Sequence, residues 1–185
     1  MIDRKFFFDQ ARTTLFEGKL RAAQVIGCEA ILDRWEEYHA RGDDRWLAYM
    51  LATCHHETDR KFQPIREYGR GKGKKYGIPD PENGHVYYGR GFVQLTWRGN
   101  YDRLGKVLKV DLVNNPDLAL DLEVSVGILF VDMIRGMFTG RSLVHYFSDG
   151  KDDWKGARRI VNGTDKASLI AEYGKRYYAA VSYRG

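Results

Sequence analysis

Cysteine is almost missing from this 185-residue chain, which holds only Cys28 and Cys54. Each lies in an apolar, helix-like stretch. That reads as two buried thiols and not a disulfide framework, and points to synthesis in a reducing compartment. No apolar run approaches the ~18 residues needed to span a bilayer. The start, MIDRKFFFDQAR, has a single apolar triplet followed by charge, unlike the apolar core of a secretory leader. The expectation is a cytoplasmic chain that needs a separate route out if it acts elsewhere. Internal repeats and low-complexity tracts are also missing. No two histidines have the four-residue spacing that a zinc site on a helix uses. His55 and His56 are adjacent and would point about 100° apart on a helix, while His39, His85 and His145 stand alone. No metal and no cofactor is expected.

Hydrophobic residues make up 43% of the chain and aromatics 14%. That is enough for a sizeable core and too much for disorder. The length suits one domain over 1–185, with N-terminal helices over 1–42 and the main core over 43–185. The net charge is +5. A modest positive excess suits an anionic partner such as nucleic acid, an anionic membrane or a bacterial wall. The basic residues are interspersed with acids, so nucleic acid is not favoured. The largest local excess lies in 151–185, where eight basic residues, Lys175, Arg176 and Arg184 among them, face four acidic ones. A basic face on the last helix could hold the protein on an anionic envelope.

Helical spacing recurs along the chain. Val25, Cys28, Ile31, Leu32, Trp35 and Tyr38 mark one helix, with Gly42 as a stop. Asp43 or Asp44 can cap the next, whose apolar face is Leu47, Met50, Leu51 and Cys54. Residues 59–86, with Pro64, Pro79, Pro81 and five glycines, predict a long, partly irregular excursion. VYYGRGFVQLTW, 86–97, predicts a strand or hairpin turning at Gly89 and Gly91. Further helices follow at Tyr101–Leu108, after Asn115-Pro116, and at Val124–Ile134. Asn162-Gly163 would end the next element, and Asp165 would cap a last helix with the stripe Leu169, Tyr173, Tyr177 and Val181. The expected class is α+β, mostly α, with a small antiparallel sheet beside a cleft.

The stretch CHHETDRKFQPIREYG, 54–69, carries two acids ten residues apart. Glu57 continues the apolar stripe of its helix, where a carboxyl is costly to ionise, as suits a general acid. A capping or ion-pairing role fits the same spacing. Glu67 lies among Arg66, Arg70 and Lys72, which favour a carboxylate and suit a base; a solvated loop acid would look the same. Ten residues easily bridge the ~6.5–9.5 Å between the carboxyls of an inverting glycosidase. The aromatic-rich run that follows suits a sugar groove. Tyr68, Tyr88 and Trp97 can stack on pyranose faces, while His56, Gln94, Asn100 and Arg159 can bond hydroxyls and acetamides.

HET, YYGRGFVQLTWRGNY, NNPDLAL and RRIVNG, in that order, resemble the motifs of family 19 glycoside hydrolases. That family holds plant-type chitinases and phage or prophage endolysins. The resemblance runs from about residue 44 to the end, and LFEGKLRAAQVIGCEAILDRWEEY upstream looks like the N-terminal helices of short, single-domain endolysins. The resemblance implies a lysozyme-like helical fold. It also implies Glu57 as general acid, Glu67 as general base, and Thr96 in place of a serine that helps hold the attacking water. Gln94, Asn100 and Tyr101 would lie in the groove, with Asn162 on its far wall. Residues 59–86 depart from the pattern, lacking the disulfide-tied loops of plant chitinases.

The expectation is therefore a monomeric endolysin that cuts the β-1,4 bond between N-acetylmuramic acid and N-acetylglucosamine, with peptidoglycan as its partner. It would wait in the host cytoplasm for a holin. A chitinase is the alternative within the class. A non-catalytic wall-binding module is the alternative outside it, opposed by the intact Glu57, Glu67 and Thr96.

Overall fold

In the computed structural model, which describes residues 1–183, six α-helices and two short hairpin-like sheets surround one cluster of buried apolar side chains. Helices α1 (Arg4–Leu15) and α2 (Ala22–His39) open the chain. Asp3 caps α1 by accepting from the Phe6 amide at 2.9 Å, and Phe7, Ala11 and Leu15 turn inward. On α2 the inward residues are Cys28, Ile31, Leu32 and Trp35. Tyr38 is exposed, with the Arg34 guanidinium 4.9 Å above its ring, so the apolar stripe ends one turn earlier than its spacing suggests.

Helix α3 (Asp44–Glu57) begins at Asp43, whose carboxylate accepts from the Arg45 amide. It is buried all round, with every residue from Leu47 to His55 out of solvent. A helix hydrophobic on all sides belongs at the centre. Helix α6 (Ala167–Val181) lies along it and α1 packs on α6. This corrects the reading of α3 as a helix with one apolar stripe. A position on that stripe does not distinguish Glu57, because all faces of α3 are covered.

After α3 the chain makes the expected excursion. It contributes β1 (Ile65–Arg66), which pairs antiparallel with β2 (Arg90–Gly91), placing Ile65 opposite Gly91 and Arg66 opposite Arg90. A bridge from Arg90 to Leu95 closes the tight turn between them. Only glycine fits at 91. Its φ is +83°, and a Cβ there would stand 2.7 Å from the Ala119 carbonyl oxygen and 2.8 Å from Ser125 Oγ.

Helix α4 (Arg98–Leu108), a 3₁₀ turn at Pro116–Leu120 and helix α5 (Leu122–Arg135) follow. Asn115 precedes Pro116 at the first turn position, but its side chain makes no cap bond. A second small sheet, β3 (Phe147–Ser148) with β4 (Lys151–Asp152), was not legible in the sequence. Its strands are two residues long, too short for an alternating pattern. The segment expected to form a helix ending at Asn162-Gly163 is a 3₁₀ turn, Gly156–Ile160. Lys166, in the left-handed region, and not Asp165 stands at the cap of α6, with no side-chain cap bond. Leu169 points out, and Ile170, Gly174, Tyr177 and Val181 point in. No helix among the described residues is long and apolar enough to cross a membrane.

Candidate active site

Glu57 is the last residue of α3, so its carboxylate stands where the helix leaves the core, 15% exposed. That end of a helix is already negative, because its last carbonyls lack partners. The counter-charge comes from far along the chain. Arg158, buried to 3%, donates from Nη1 to Glu57 Oε1 at 2.6 Å and from Nε to the Asp165 carbonyl at 3.1 Å. Both guanidinium contacts fix its direction. Oε2 of Glu57 receives no hydrogen bond from a described residue, so one oxygen is held and the other is free.

Glu67 follows β1 directly, and both of its oxygens are held. Tyr76 donates its hydroxyl to Oε1 at 2.8 Å, and the Gly89 amide donates to Oε2 at 3.1 Å. The Glu67 amide in turn donates to the Gly89 carbonyl at 2.7 Å. Burial, and then the bond to Glu67, push the Tyr76 phenol above its ordinary value. The Tyr76 ring meets Trp97 edge-on at 5.5 Å.

The loop that carries Gly89 is set by Arg90, whose side chain is nearly fully buried. Its guanidinium donates to Asp117 Oδ1, to the Val86 and Tyr88 carbonyls and to the Tyr101 hydroxyl. Asp117 also accepts from Arg66, so one carboxylate clamps both strands of the β1–β2 pair to the Pro116 turn. Gln94 and Trp97 both adopt positive φ, 52° and 70°, on either side of Thr96. Non-glycine residues in that region cost of order 1–3 kcal/mol each and cluster at functional sites.

The expected site residues separate into surface groups and supports. Thr96 and His56 are half-buried, Tyr68 is 75% exposed and Trp97 48% exposed. Burial first, then Arg158 and Lys166, hold the His56 imidazole below its ordinary value against Glu57 and Asp165. Lys61 Nζ donates to the Tyr68 hydroxyl at 2.8 Å.

Among the other expected groove residues, burial corrects Tyr101 and Tyr88, while Gln94 and Asn100 are half-buried and bonded to the backbone. Tyr101 is fully buried, its hydroxyl donating to the Tyr88 carbonyl at 2.8 Å, so it cannot meet a sugar. Tyr88 is 8% exposed, and Arg90 covers its ring face at 3.6 Å. Gln94 gives its amide nitrogen to the Ile65 and Gly91 carbonyls and shores up the turn. Asn100 donates to the Thr96 carbonyl at 2.9 Å and accepts from Arg103, which ties Thr96 to the start of α4.

Arg159 is exposed, and its neighbour Arg158 is the inward arginine. In a tight helical turn adjacent side chains diverge, and the sequence does not say which one faces in. Asn162 is exposed and accepts from the Gly163 amide, as a local turn asparagine does. His55 is a core histidine. Its Nδ1 meets the Tyr177 hydroxyl at 2.9 Å, and burial pushes its pKa down to about 3. Arg158, Tyr76, Arg90 and Asp117 are the functional supports that sequence reasoning missed. Arg158 and Arg90 lie inside the RRIVNG and YYGRG motifs, which was the available signal.

The arrangement offers one carboxyl with a free oxygen beside a buried cation, and a second carboxylate held at both oxygens. It also offers a half-buried hydroxyl between strained residues and two exposed aromatic rings. Among the described residues no three His, Cys, Asp or Glu side chains are grouped to hold a metal ion.

Residues 47–133 match the family model of chitinase class I, glycoside hydrolase family 19. An acidic endochitinase of Petunia hybrida is 43% identical over 81 residues, which cover 42% of this chain and 30% of that one. A basic endochitinase of Vitis vinifera is 50% identical over 88 residues, covering 40% of this chain and 28% of that one. An inactive chitinase-like protein of Hevea brasiliensis is 57% identical over 35 residues, 19% of this chain and 11% of that one. The chain thus spans about a third or less of the length of these curated relatives.

Among solved structures, chitinase C of Streptomyces griseus HUT6037 matches with TM-score 0.65 at 20% identity, over 98% of this chain and 76% of that one. A bacterial family 19 chitinase matches with TM-score 0.61 at 22% identity, over 99% and 96%. These two share the fold. The sequence match goes further over part of the chain: residues 47–133 carry the pattern of glycoside hydrolase family 19, chitinase class I.

Proposed function

We propose that this protein hydrolyses the β-1,4 glycosidic bonds of bacterial peptidoglycan, between N-acetylmuramic acid and N-acetylglucosamine, as an endolysin. The observation that carries the hydrolytic reading is the pair of unlike carboxyl environments: Glu57 with one oxygen held by Arg158, and Glu67 with both oxygens held. A carboxyl with one open oxygen can pass a proton there, and a carboxylate aimed by two donors can receive one.

In this mechanism Glu57 donates its proton from Oε2 to the glycosidic oxygen as the C1–O bond breaks. The carboxylate left behind is stabilised by Arg158 at Oε1. A water on the opposite face attacks C1 and gives its proton to Glu67, so the anomeric configuration inverts. Tyr76 and the Gly89 amide aim Glu67, and Thr96 helps hold the water. Trp97 and Tyr68 offer faces for the sugar rings. His56 borders the acid. Arg159 and Asn162, both exposed beside Arg158, can reach substrate hydroxyls at the far wall.

The positive charge of the chain supports an anionic wall polymer as substrate. The protein would act as a monomer, reaching the wall from the host cytoplasm once a pore opens the membrane. The names of the curated relatives favour a second reading, an endochitinase acting on N-acetylglucosamine polymers.

Mass spectrometry of the fragments released from purified sacculi tests the proposal. Muropeptides with a new N-acetylmuramic acid reducing end are expected. Release of free peptides with intact glycan strands overturns it, and cleavage of chitin oligosaccharides alone selects the second reading.

A further inference from the structure

A cavity of about 440 Å3 opens between the α1–α2 turn and the turn that follows α3. Its charged lining is Glu17, Lys19 and Arg21 from the first turn, and Asp59, Arg60 and Lys61 from the second. Two features mark it as a built structure. Glu17, Asp59 and Arg60 all have positive φ, between 50° and 62°, a conformation that costs energy unless the surroundings impose it. The two turns are also tied together. Arg60 donates to Glu17 at 2.8 Å, and Gln24 donates to the Arg60 carbonyl at 2.9 Å. Below them α2 comes so close to the second turn that a Cβ on Gly27 would stand 1.8 Å from the Phe62 carbonyl oxygen.

The charges do not balance inside the cavity. Glu17 is spent on Arg60. Lys61 bonds the neutral Tyr68 hydroxyl. Lys19 and Arg21 are exposed and form no ion pair among the described residues. Asp59 is left as the one carboxylate not paired to a cation, and it lies 3.4 Å from the Tyr68 hydroxyl.

One wall of the cavity is joined to the candidate active site along the chain. Asp59–Lys61 lie two to four residues beyond Glu57, within ~15 Å of chain. Tyr68, which Lys61 holds, is the residue after Glu67. Lys19 and Arg21 come from outside the 47–133 stretch that matches the family. One wall of the cavity is therefore separate from the matched catalytic sequence.

We propose that this cavity is an anion subsite that takes a carboxylate of the lactyl-peptide substituent of the glycan. A neutral N-acetylglucosamine polymer offers no negative charge to Lys19, Arg21 and Lys61. A peptide stem carries several carboxylates and, at ~3.3–3.6 Å per residue, four residues span about 14 Å from the sugar. The subsite thus selects peptide-bearing glycan over chitin. The inference rests on the glycan-cleaving reading of Glu57 and Glu67 and names its substrate class.

The test compares the wild-type chain with the Lys19→Gln/Arg21→Gln double variant. The substrates are soluble peptide-bearing glycan strands, the same strands with their peptide carboxylates amidated, and a neutral N-acetylglucosamine hexamer. On the acidic strands KM should rise roughly tenfold in the variant, as expected for losing charge-assisted bonds, with kcat little changed. On amidated strands the two proteins should converge, and the hexamer should show no selective loss. Equal KM for both proteins on acidic strands overturns the subsite while leaving the glycosidase standing. So does a wild type that cleaves only the hexamer. A wild type that cleaves none of the three overturns both.

Discussion

Arg158 stands 101 residues beyond Glu57 in sequence and 2.6 Å from it in space, its Nη1 on Glu57 Oε1. The pair is mostly buried on the glutamate side and almost wholly on the arginine side. Glu57→Gln keeps an oxygen for Arg158 and removes the transferable proton. Lysis of outer-membrane-stripped cells should fall ~10²–10⁴-fold, with a lower Tm because a buried cation loses its counter-charge. Arg158→Met should cost roughly 3–5 kcal/mol by stranding the carboxylate. The Glu57→Leu/Arg158→Met double variant should lose less stability than its two single variants added together. Additive losses in denaturant melts would show that the two groups do not interact.

Tyr76→Phe removes the hydroxyl that holds Glu67 Oε1 and leaves the Gly89 amide on Oε2. The expected effect is a fall in kcat of about tenfold, one neutral-to-charged hydrogen bond, with little change in KM. Glu67→Gln should be more severe. Wild-type kcat in Glu67→Gln would move the base elsewhere, with Asp59 and Glu82 the acids to examine next.

Two buried groups tilt stability with pH in opposite directions. Asp132 is fully buried on α5. One oxygen accepts from the Phe138 amide at 2.8 Å, the other has no partner among the described residues, and burial pushes its pKa up to about 7. The folded value lies above the unfolded 3.8, so the stability it carries is complete below that value and is lost as pH rises towards 7. Asp132→Asn should flatten the profile across that window. His55 works the other way. Its folded value of about 3 lies below the unfolded 6.5, so its contribution is complete above 6.5 and is lost as pH falls towards 3. His55→Gln should flatten the acid limb. Thermal melts from about pH 3.5 to 8 check both, and unchanged slopes in the two variants would remove these groups from the account.

The basic residues of the last helix are exposed at Lys175 and Arg176, while Arg184 lies outside the described residues. Arg176 also donates to the Thr14 carbonyl at 2.8 Å, tying α6 to the end of α1. If this face holds the protein on an anionic envelope, Lys175→Gln/Arg176→Gln should weaken binding to sacculi at low salt. It should matter little at high salt, since such docking is screened within ~8 Å at physiological ionic strength. Co-sedimentation at two ionic strengths decides this. Binding unchanged at both leaves these residues with a packing role alone.

The sequence by itself determined the helices and the neighbourhood of the site. Apolar spacing located α2, α3 and α5 because a helix must bury its apolar residues, wherever its partners come from. Asp43 marked the start of α3 through a local cap bond. The motifs around Glu57, Glu67 and Thr96 were legible because each is a contiguous run of polar and aromatic residues, although Tyr88, Arg90 and Phe92 within them are buried.

Only the tertiary structure decided which side chains face the groove. Tyr88 and Tyr101 have the chemistry of sugar ligands, yet packing turned them into supports, because a buried Arg90 needs partners for its donors, and Gln94 gives its amide nitrogen to the Ile65 and Gly91 carbonyls. Between Arg158 and Arg159 the choice is one step of a 3₁₀ turn, which the composition of the turn does not encode. The electrostatics of Glu57 likewise rest on a guanidinium 101 residues away, and a contact of that range exists only once the chain has folded.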